Sequence, residues 1–252
     1  HMEHKAGEKM YVDYAGQKLQ IVDPESGENI PVEVFVAILG ASQLTYVEAS
    51  YSQKKEDFIG SCENALHFFG GVPNAIVTDN LKSAVIRGNR YEPTLNEAFR
   101  DFVSHYTMAA LPAAPYKPKY KALVEGAVKI IYRTIYGSVK ERVYSSLELI
   151  NQSIGIALEE HNNRLLKNRP FSRRQLFEET ERHTLNPLAT HRYELKHRVI
   201  VTVMKNNYVN LTEDRHYYSV PYHYIGKKVT LLYSQSIVEV YHRYERIAIH
   251  NR

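Results

Sequence analysis

The chain has 252 residues, of which 44% are hydrophobic, and its formal net charge is +4. This length exceeds a usual domain of roughly 100–150 residues, so we expect one sizeable domain and a smaller one. No apolar run reaches the roughly 18–20 residues that cross a bilayer, and no export signal opens the chain, which excludes a membrane protein and favours a cytoplasmic one.

The first two thirds of the chain predict strands, followed by alternating helices and strands. β-Branched and aromatic residues indicate strands over about 10–22, 31–39 and 44–51. The period then becomes helical over about 58–69, which places Cys62 in the core. The later elements are a strand at about 74–78, a helix through 99–106, a strand at 108–112, a long helix from about 118 to 143 and a second helix from about 145 to 166. This order predicts an α/β fold, namely a ribonuclease H-like mixed sheet with flanking helices.

The last quarter of the chain has a different pattern. Beyond about residue 190, short apolar runs are separated by polar or Gly turns, which predicts a small C-terminal β-barrel domain. We therefore divide the chain into a core at 3–166, a linker at 167–189 and the barrel at 190–252. The barrel is expected to contact DNA or protein.

Charge is distributed unevenly along the chain. Residues 1–116 hold 9 Lys and Arg against 15 Asp and Glu, whereas residues 117–174 hold 12 against 5. The tail from 190 to 252 is also basic, with 10 against 5. An acidic half joined to basic segments suits a protein that holds cations in one place and a polyanion in another, although solvated helices can also carry lysines.

Three carboxylates, Asp13, Asp79 and Glu125, stand where such a sheet would bring them together. Asp13 lies inside the first predicted strand, Asp79 lies just past the carboxyl end of another, and Glu125 lies on the long helix. Crowded carboxylates need cations, and Mg²⁺ prefers oxygen ligands of this kind. Each residue alone has another explanation, because Asp79 could cap a turn, and Lys121 and Lys129 could pair with Glu125 on the surface.

The sequences around these carboxylates resemble the three acidic motifs of retroviral-type integrase cores. The matching strings are VDYAG at 12–16, GVPNAIVTDN at 71–80, and PYKP at 115–118 followed by KALVE at 121–125. The variant that is most similar is IstA, the transposase of a two-gene class of bacterial insertion sequences. The segment that follows the core in that family resembles HNNR at 161–164, RPFSRR at 169–174 and LFEE at 176–179. One residue departs from the pattern, because Tyr120 stands where an acidic or small residue is expected.

The resemblance implies that Asp13, Asp79 and Glu125 are a catalytic triad that holds two Mg²⁺ or Mn²⁺ ions. It implies a DDE transposase, a polynucleotidyl transferase in which water frees a 3′-hydroxyl at the element's end and that hydroxyl then attacks target DNA. The implied partners are double-stranded DNA, an AAA+ ATPase helper and further copies of the chain in a homo-oligomer on DNA. Helix-turn-helix regions precede the core in that family, and we expect end recognition to be absent from this chain. Two alternatives stay open, a metal-dependent nuclease of the same fold that never joins DNA and a non-catalytic DNA-binding assembly module.

Basic residues around the third carboxylate and after the second long helix are candidates for phosphate contacts, which position DNA without reading its sequence. They are Lys117, Lys119, Lys121, Lys129 and Arg133, and then Arg164, Lys167, Arg169, Arg173 and Arg174. The tail histidines lack partner cysteines and tight metal spacing, so zinc is not expected. The tail tyrosines are interpreted as barrel packing rather than as platforms for stacking bases. They include Tyr217, Tyr218, Tyr222 and Tyr224.

Overall fold

The computed structural model describes residues 4–78, 85–87, 94–95, 97–112, 126, 131–234 and 236–252. The chain divides into two compact units, His1–Arg192 and Tyr193–Arg252. Within the described ranges, no helix is long and apolar enough to cross a membrane.

The first unit is built on a six-stranded mixed sheet, which confirms the predicted α/β class. The strands of this sheet are β1 (Lys9–Tyr14), β2 (Leu19–Val22), β3 (Asn29–Leu39), β4 (Thr45–Ser50), β5 (Ala75–Thr78) and β8 (Ala109–Pro112). Two further strands, β6 (Val85–Arg87) and β7 (Thr94–Leu95), pair with each other outside it. β1, β5 and β8 are parallel neighbours. β3 runs antiparallel beside β1, and β4 pairs with the other edge of β3.

The strand predicted over 10–22 is interrupted, and the structure corrects this part of the prediction. β1 and β2 both pair with β3, with Tyr14 opposite Phe35 and Leu19 opposite Val32. Four residues of the first segment, 15–18, therefore face only two residues of β3. The extra length cannot continue the hydrogen-bonded ladder, so the chain leaves it as an irregular turn between the two strands.

Helices pack on both faces of the sheet. They are α1 (Lys55–Phe69), α2 (Glu97–His105), a π-helical turn (Tyr132–Tyr136) that continues into α3 (Gly137–Val139), α4 (Leu147–Asn163), α5 (Arg173–Leu176), a π-helical turn (Phe177–Glu181) and a 3-10 turn (Arg182–Thr184). α4 confirms the predicted second long helix and begins after Ser146, whose side chain accepts the Leu149 N–H. Of the helix predicted over 118–143, the described part ends earlier, at Val139.

β3 positions both halves of the core because its side chains alternate between the two faces of the sheet. On one face, Phe35 packs against Phe58 of α1, which in turn contacts Phe99 of α2. On the other face, Val36 belongs to a buried cluster that includes Ile135 and residues of α4. The sheet is therefore buried on both sides, as expected for parallel strands joined by crossover helices.

Residues 167–189, which the sequence predicted to be a linker, fold onto the first unit. The Glu181 side chain is fully buried. Its carboxylate accepts backbone N–H groups from Gly7 at 3.2 Å, Ala41 at 3.4 Å and Ser42 at 2.8 Å. Burial of a charged group is favourable only with such donors, so these hydrogen bonds fasten the segment to the start of the core. The boundary between the units lies beyond it.

The second unit is a small β domain. Its strands are β9 (His197–Thr202), β10 (Tyr208–Leu211), β11 (His216–Ser219), β12 (Lys228–Tyr233), β13 (Ile237–His242) and β14 (Glu245–Asn251). Four of them form an antiparallel sheet in the order β14-β13-β12-β9, and β10 pairs with β11. Both sheets contribute to one buried cluster around Val209, Leu231 and Val240. The strand pairings of the described residues do not form a closed barrel, so the barrel itself stays a prediction.

Candidate active site

Asp13 lies in β1, the central strand of the sheet. Its side chain is half-buried, whereas its neighbours Val12 and Tyr14 are buried. The Asp13 carboxylate accepts the backbone N–H of Tyr14 at 2.8 Å, which restrains its orientation. Tyr14 pairs with Phe35, so its side chain lies on the opposite face of the sheet from that of Asp13, where burial raises the pKa of its phenol. The location inside a paired strand confirms the predicted strand position of Asp13.

The register of the parallel strands defines the edge of the sheet at which Asp13 lies. Val12 of β1 pairs with Thr78 of β5, and Thr78 pairs with Pro112 of β8. The carboxyl ends of the three strands therefore meet at the same edge, which is where open α/β sheets bind ligands. Asp13 is the residue that follows Val12 at this edge.

Asp13 also faces a particular helical segment of the chain. It is paired with Val36 of β3, and directly paired residues of two strands point to the same face of a sheet. Val36 is buried in a cluster with Ile131 and Ile135. The face that carries Asp13 is thus the face covered by the helical segment of residues 131–139.

The other two carboxylates and four of the ten predicted basic residues lie outside the described residues. These are Asp79, Glu125, Lys117, Lys119, Lys121 and Lys129, and Tyr120 lies there too. The backbone of Arg133 is in the π-helical turn, but its side chain is not among those described. Within the described part of the chain, which does not include Asp79 or Glu125, no group of three or more His, Cys, Asp or Glu residues could hold a metal.

Four of the five basic residues predicted after α4 lie on or near the surface. Lys167 and Arg169 are exposed, and Arg169 lies 5.6 Å from the centre of the Phe171 ring. Arg164 is exposed and forms an ion pair with Glu160 at 3.5 Å. Exposed pairs of this kind contribute little to stability, so Arg164 remains accessible to a phosphate. Arg174 is more restricted, because it pairs with Glu159 at 3.2 Å and lies over the Phe68 ring.

Arg173 is a correction to the predicted DNA-binding set. It is buried, and its guanidinium donates to the backbone carbonyl of His161 at 3.3 Å. Burial lowers the pKa of Arg173, which reflects the cost of removing this charge from water. A side chain held in this way joins α5 to the end of α4, and it does not present its charge to DNA.

The tyrosines of the second unit divide into two groups. Tyr218 is buried, which confirms the predicted packing role. Tyr222 and Tyr217 are 77% and 49% exposed, so the packing interpretation is wrong for these two. The sequence pattern hid this difference because all of these tyrosines lie in or beside short strands, where burial depends on which face of the sheet a side chain occupies.

The comparison with known proteins gives two kinds of sequence match. Residues 188–252 match the family described as Mu transposase, C-terminal domain. A protein of Sinorhizobium fredii named "Putative transposase y4bL/y4kJ/y4tB" is 41% identical over 249 residues, which cover 99% of this chain and 48% of that protein. The Burkholderia multivorans protein "Putative transposase for insertion sequence IS408" is 37% identical over 250 residues, with coverages of 99% and 48%. The chain spans about half the length of these relatives.

A solved structure has a similar fold. A chain of the simian T-cell lymphotropic virus intasome, determined by cryo-EM in complex with the PP2A regulatory subunit B56 gamma, aligns with a TM-score of 0.53. The alignment covers 94% of this chain and 73% of that chain, at 15% sequence identity. Over nearly its whole length, therefore, the chain is similar in sequence to proteins named as transposases of insertion sequences, and its fold is similar to that of an intasome component.

Proposed function

We propose that this chain is the catalytic region of a DDE transposase of the IstA type, with a ribonuclease H-like core. Its reaction would be cleavage at the 3′ end of an element followed by joining of that end to target DNA. The sequence similarity to transposases supports the reaction class. An AAA+ ATPase helper and a homo-oligomer on paired DNA ends belong to the same proposal.

The observation that carries this proposal is the register of the two central parallel strands. β1 and β5 pair with a constant offset of 66 residues, from Lys9 with Ala75 to Val12 with Thr78. Asp13 and Asp79 are the next residues of the two segments, and they are also 66 apart in sequence. Continued by one residue, this register would set the two carboxylates side by side.

The same reasoning extends to the third carboxylate. Asp13 shares its face of the sheet with Val36, which packs against Ile131 and Ile135. Glu125 precedes Ile131 by six residues in the sequence. If the helix of Ile131 continues toward its amino end, Glu125 would lie on the element that covers Asp13, near the sheet edge where β1 and β5 end.

Three carboxylates that converge in this way fit a hard divalent cation, which prefers oxygen ligands. Asp13, Asp79 and Glu125 would hold Mg²⁺ or Mn²⁺, with two ions expected. When bound, these ions supply Lewis-acid activation of the attacking oxygen and neutralise the charge on the leaving oxygen. Asp13 suits the role of a metal ligand because its strand is paired on both sides and its carboxylate is already oriented by the Tyr14 N–H.

The exposed cations after α4 would contact the DNA backbone at the end of the sheet where β1 begins, because α4 ends beside Thr45 and the paired Ile38 lies opposite Tyr11. Arg164, Lys167 and Arg169 can contact phosphates, which position a duplex without reading its sequence. In the cleavage step, an oxygen–phosphorus bond forms to water as the bond to the 3′ oxygen breaks. In the joining step, the freed 3′-hydroxyl forms the new phosphodiester as a bond of the target strand breaks. No covalent bond to the protein is formed.

A strand-transfer assay tests the proposal. The chain is incubated with Mn²⁺, a pre-cleaved DNA end with a free 3′-hydroxyl and a supercoiled plasmid, alongside Asp13→Asn and Glu125→Gln. Glu28→Gln, which removes an exposed carboxylate in the turn before β3, is the matched control. We expect joined product from the unchanged protein and the control, and a loss of at least about a hundredfold in the other two variants. Nicking without joining would instead favour the nuclease, and the absence of any product would overturn the catalytic proposal for this chain.

A further inference from the structure

We propose that one end of the second unit is a nucleic-acid-binding surface centred on the turn between β13 and β14. We call it the hairpin-tip surface and define it by Tyr222, Tyr224, Lys227, Lys228, Arg243 and Tyr244. None of these residues is among those predicted to contact DNA from the sequence. The inference rests on the proposed function only for the choice of DNA as the nucleic acid.

The turn itself is the first observation. β13 ends at His242 and β14 begins at Glu245, so the connection consists of Arg243 and Tyr244 alone. Both have positive φ, at 49° and 71°. Two-residue hairpin turns of this kind favour Asn and Gly, because other side chains meet their own backbone in the left-handed region. Two bulky side chains thus occupy a backbone conformation that disfavours them.

Folding contacts do not explain this choice of residues. Tyr244 is 99% exposed, and Arg243 is exposed as well. Within the described part of the chain, no ion pair involves Arg243, Lys227 or Lys228. Side chains that bury no surface and occupy a disfavoured conformation are typical of residues retained for a contact with another molecule.

The turn continues into a surface in which aromatic rings and cations alternate. The ring of His242 lies 5.2 Å from that of Tyr224, and its Nδ1 lies 3.2 Å from the backbone oxygen of Lys228. The Lys227 ammonium lies 5.1 Å from the centre of the Tyr224 ring. The 3-10 turn Tyr222–Tyr224 thus sits beside the hairpin tip, and its first residue is 77% exposed.

The two ends of this unit differ in the charged side chains that they carry. The strand registers place Lys228 and the turn of Arg243 at one end of the four-stranded sheet and Tyr233 at the other. At the Tyr233 end, Glu213 accepts a hydrogen bond from the Tyr233 hydroxyl at 2.7 Å, and Asp214 binds Arg252. At the hairpin-tip end, Lys227, Lys228 and Arg243 lie near the turn together with Glu245, whereas Glu239 of β13 is already paired with Lys196 and Arg246.

Nucleic acid is the partner that this chemistry fits. Lys and Arg neutralise phosphates, and accessible tyrosine rings can stack on bases or pack against sugars without sequence preference. An acidic protein could also satisfy the cations, and tyrosine is common at protein interfaces, so competition by polyglutamate is the outcome that separates the two partners. The surface therefore provides electrostatic contacts from Lys227, Lys228 and Arg243 and, on a duplex, contacts of the Tyr222 and Tyr244 side chains with the sugar-phosphate backbone.

The turn permits a test that separates binding from folding. Arg243→Asn combined with Tyr244→Gly introduces the residues that such a turn prefers, so the unfolding temperature should be unchanged or higher. Binding of the full chain to a fluorescent 30-base-pair duplex of unrelated sequence is measured by anisotropy in EDTA at several salt concentrations. Arg243→Asn alone should weaken binding about three- to tenfold and reduce the salt slope by about one, and Tyr244→Ser should weaken it without changing the slope.

The opposite end of the same unit supplies matched controls. Arg215 is exposed and also has a positive φ, of 52°, and Tyr217 is an exposed tyrosine of β11. Arg215→Asn and Tyr217→Ser should bind DNA like the unchanged chain. Equal losses in Arg243→Asn and Arg215→Asn would overturn the inference. The inference would also be overturned if polyglutamate competed as effectively as DNA and Tyr244→Ser did not change DNA binding. That result would assign the surface to an acidic protein.

Failure of this inference is distinguishable from failure of the proposed function. A chain that joins DNA but binds it equally well with or without Arg243 and Tyr244 retains the proposed function and loses the hairpin-tip surface. A chain that binds through this surface but never forms joined product retains the surface and loses the proposed reaction.

Discussion

Asn162 of α4 and Thr45 of β4 are joined by two hydrogen bonds that substitute for a neighbouring strand. The Asn162 amide donates to the Thr45 carbonyl at 2.8 Å, and its oxygen accepts the Thr45 N–H at 3.2 Å. Asn151, nearer the amino end of the same helix, makes the equivalent two hydrogen bonds with the backbone of Ala49, at 2.9 and 2.7 Å. β4 lies at the edge of the sheet, and α4 satisfies backbone groups that would otherwise be open to another strand.

The paired hydrogen bonds make Asn162 a stability determinant. Asn162→Ala leaves a buried N–H and a buried C=O of Thr45 without partners, so the free energy of unfolding should fall by about 3 kcal/mol. Asn163→Ala is the control, because Asn163 is exposed and, among the described residues, its amide donates only to Glu159 of the same helix. Urea denaturation followed by circular dichroism measures both. A loss in Asn163→Ala as large as that in Asn162→Ala would contradict this role of the β4 edge.

Glu181 should be equally sensitive to substitution. Glu181→Ala removes the acceptor of three backbone N–H groups, those of Gly7, Ala41 and Ser42, and should lower the free energy of unfolding by about 3 kcal/mol. Glu179→Ala, two residues away on the exposed side, should change it by less than about 0.5 kcal/mol. Limited proteolysis should then cut within 167–189 in the first variant only. Equal protease resistance of both variants would indicate that Glu181 does not fasten this segment.

Because His161 is buried, we expect the folded protein to lose stability in mild acid. Burial, together with the positive charges of Arg173 and Arg164, lowers the pKa of His161 to about 4, below the usual value of about 6.5. Between these two values the unfolded chain binds a proton that the folded chain does not, so stability is present above pH 6.5 and falls toward pH 4. The loss at pH 5 is roughly 2 kcal/mol.

Substitution of His161 isolates this contribution. In His161→Gln, the difference in unfolding free energy between pH 7 and pH 5 should shrink by roughly 2 kcal/mol. His183→Gln, at an exposed histidine, should leave that difference as it is in the unchanged protein. Denaturation curves at the two pH values give the measurement. The same pH dependence in all three proteins would show that His161 is not the group that titrates.

Cys62 should report on unfolding. It is the only cysteine of the chain and is fully buried, as the sequence predicted. Burial raises the pKa of its thiol well above the usual range, so little reactive thiolate forms. A disulfide reagent such as DTNB should therefore modify the native protein only at the rate of unfolding. Ser26→Cys, in the exposed turn before β3, should react at once, and similarly rapid reaction of the unchanged native protein would contradict the burial of Cys62.

Local sequence determined the elements of this protein and the identity of its candidate carboxylates. The helical spacing of apolar residues predicts α1, because a period of 3.6 residues places them on one buried face. Asp13 could be singled out because an aspartate is unusual in a run of strand-forming residues. Sequence strings alone also carried the resemblance to transposases, since those motifs are short and contiguous.

Tertiary structure alone decided the pairings between distant segments. The register of β1 with β5 joins residues far apart in the chain, and the hydrogen bonds from Asn162 to Thr45 span 117 positions. The burial of Glu181 and Arg173 likewise depends on distant segments. Periodicity describes only which side of its own element a residue occupies. Whether that side meets solvent, a carbonyl or another strand depends on packing. The sequence therefore could not show that 167–189 folds onto the first unit or that Arg173 is buried.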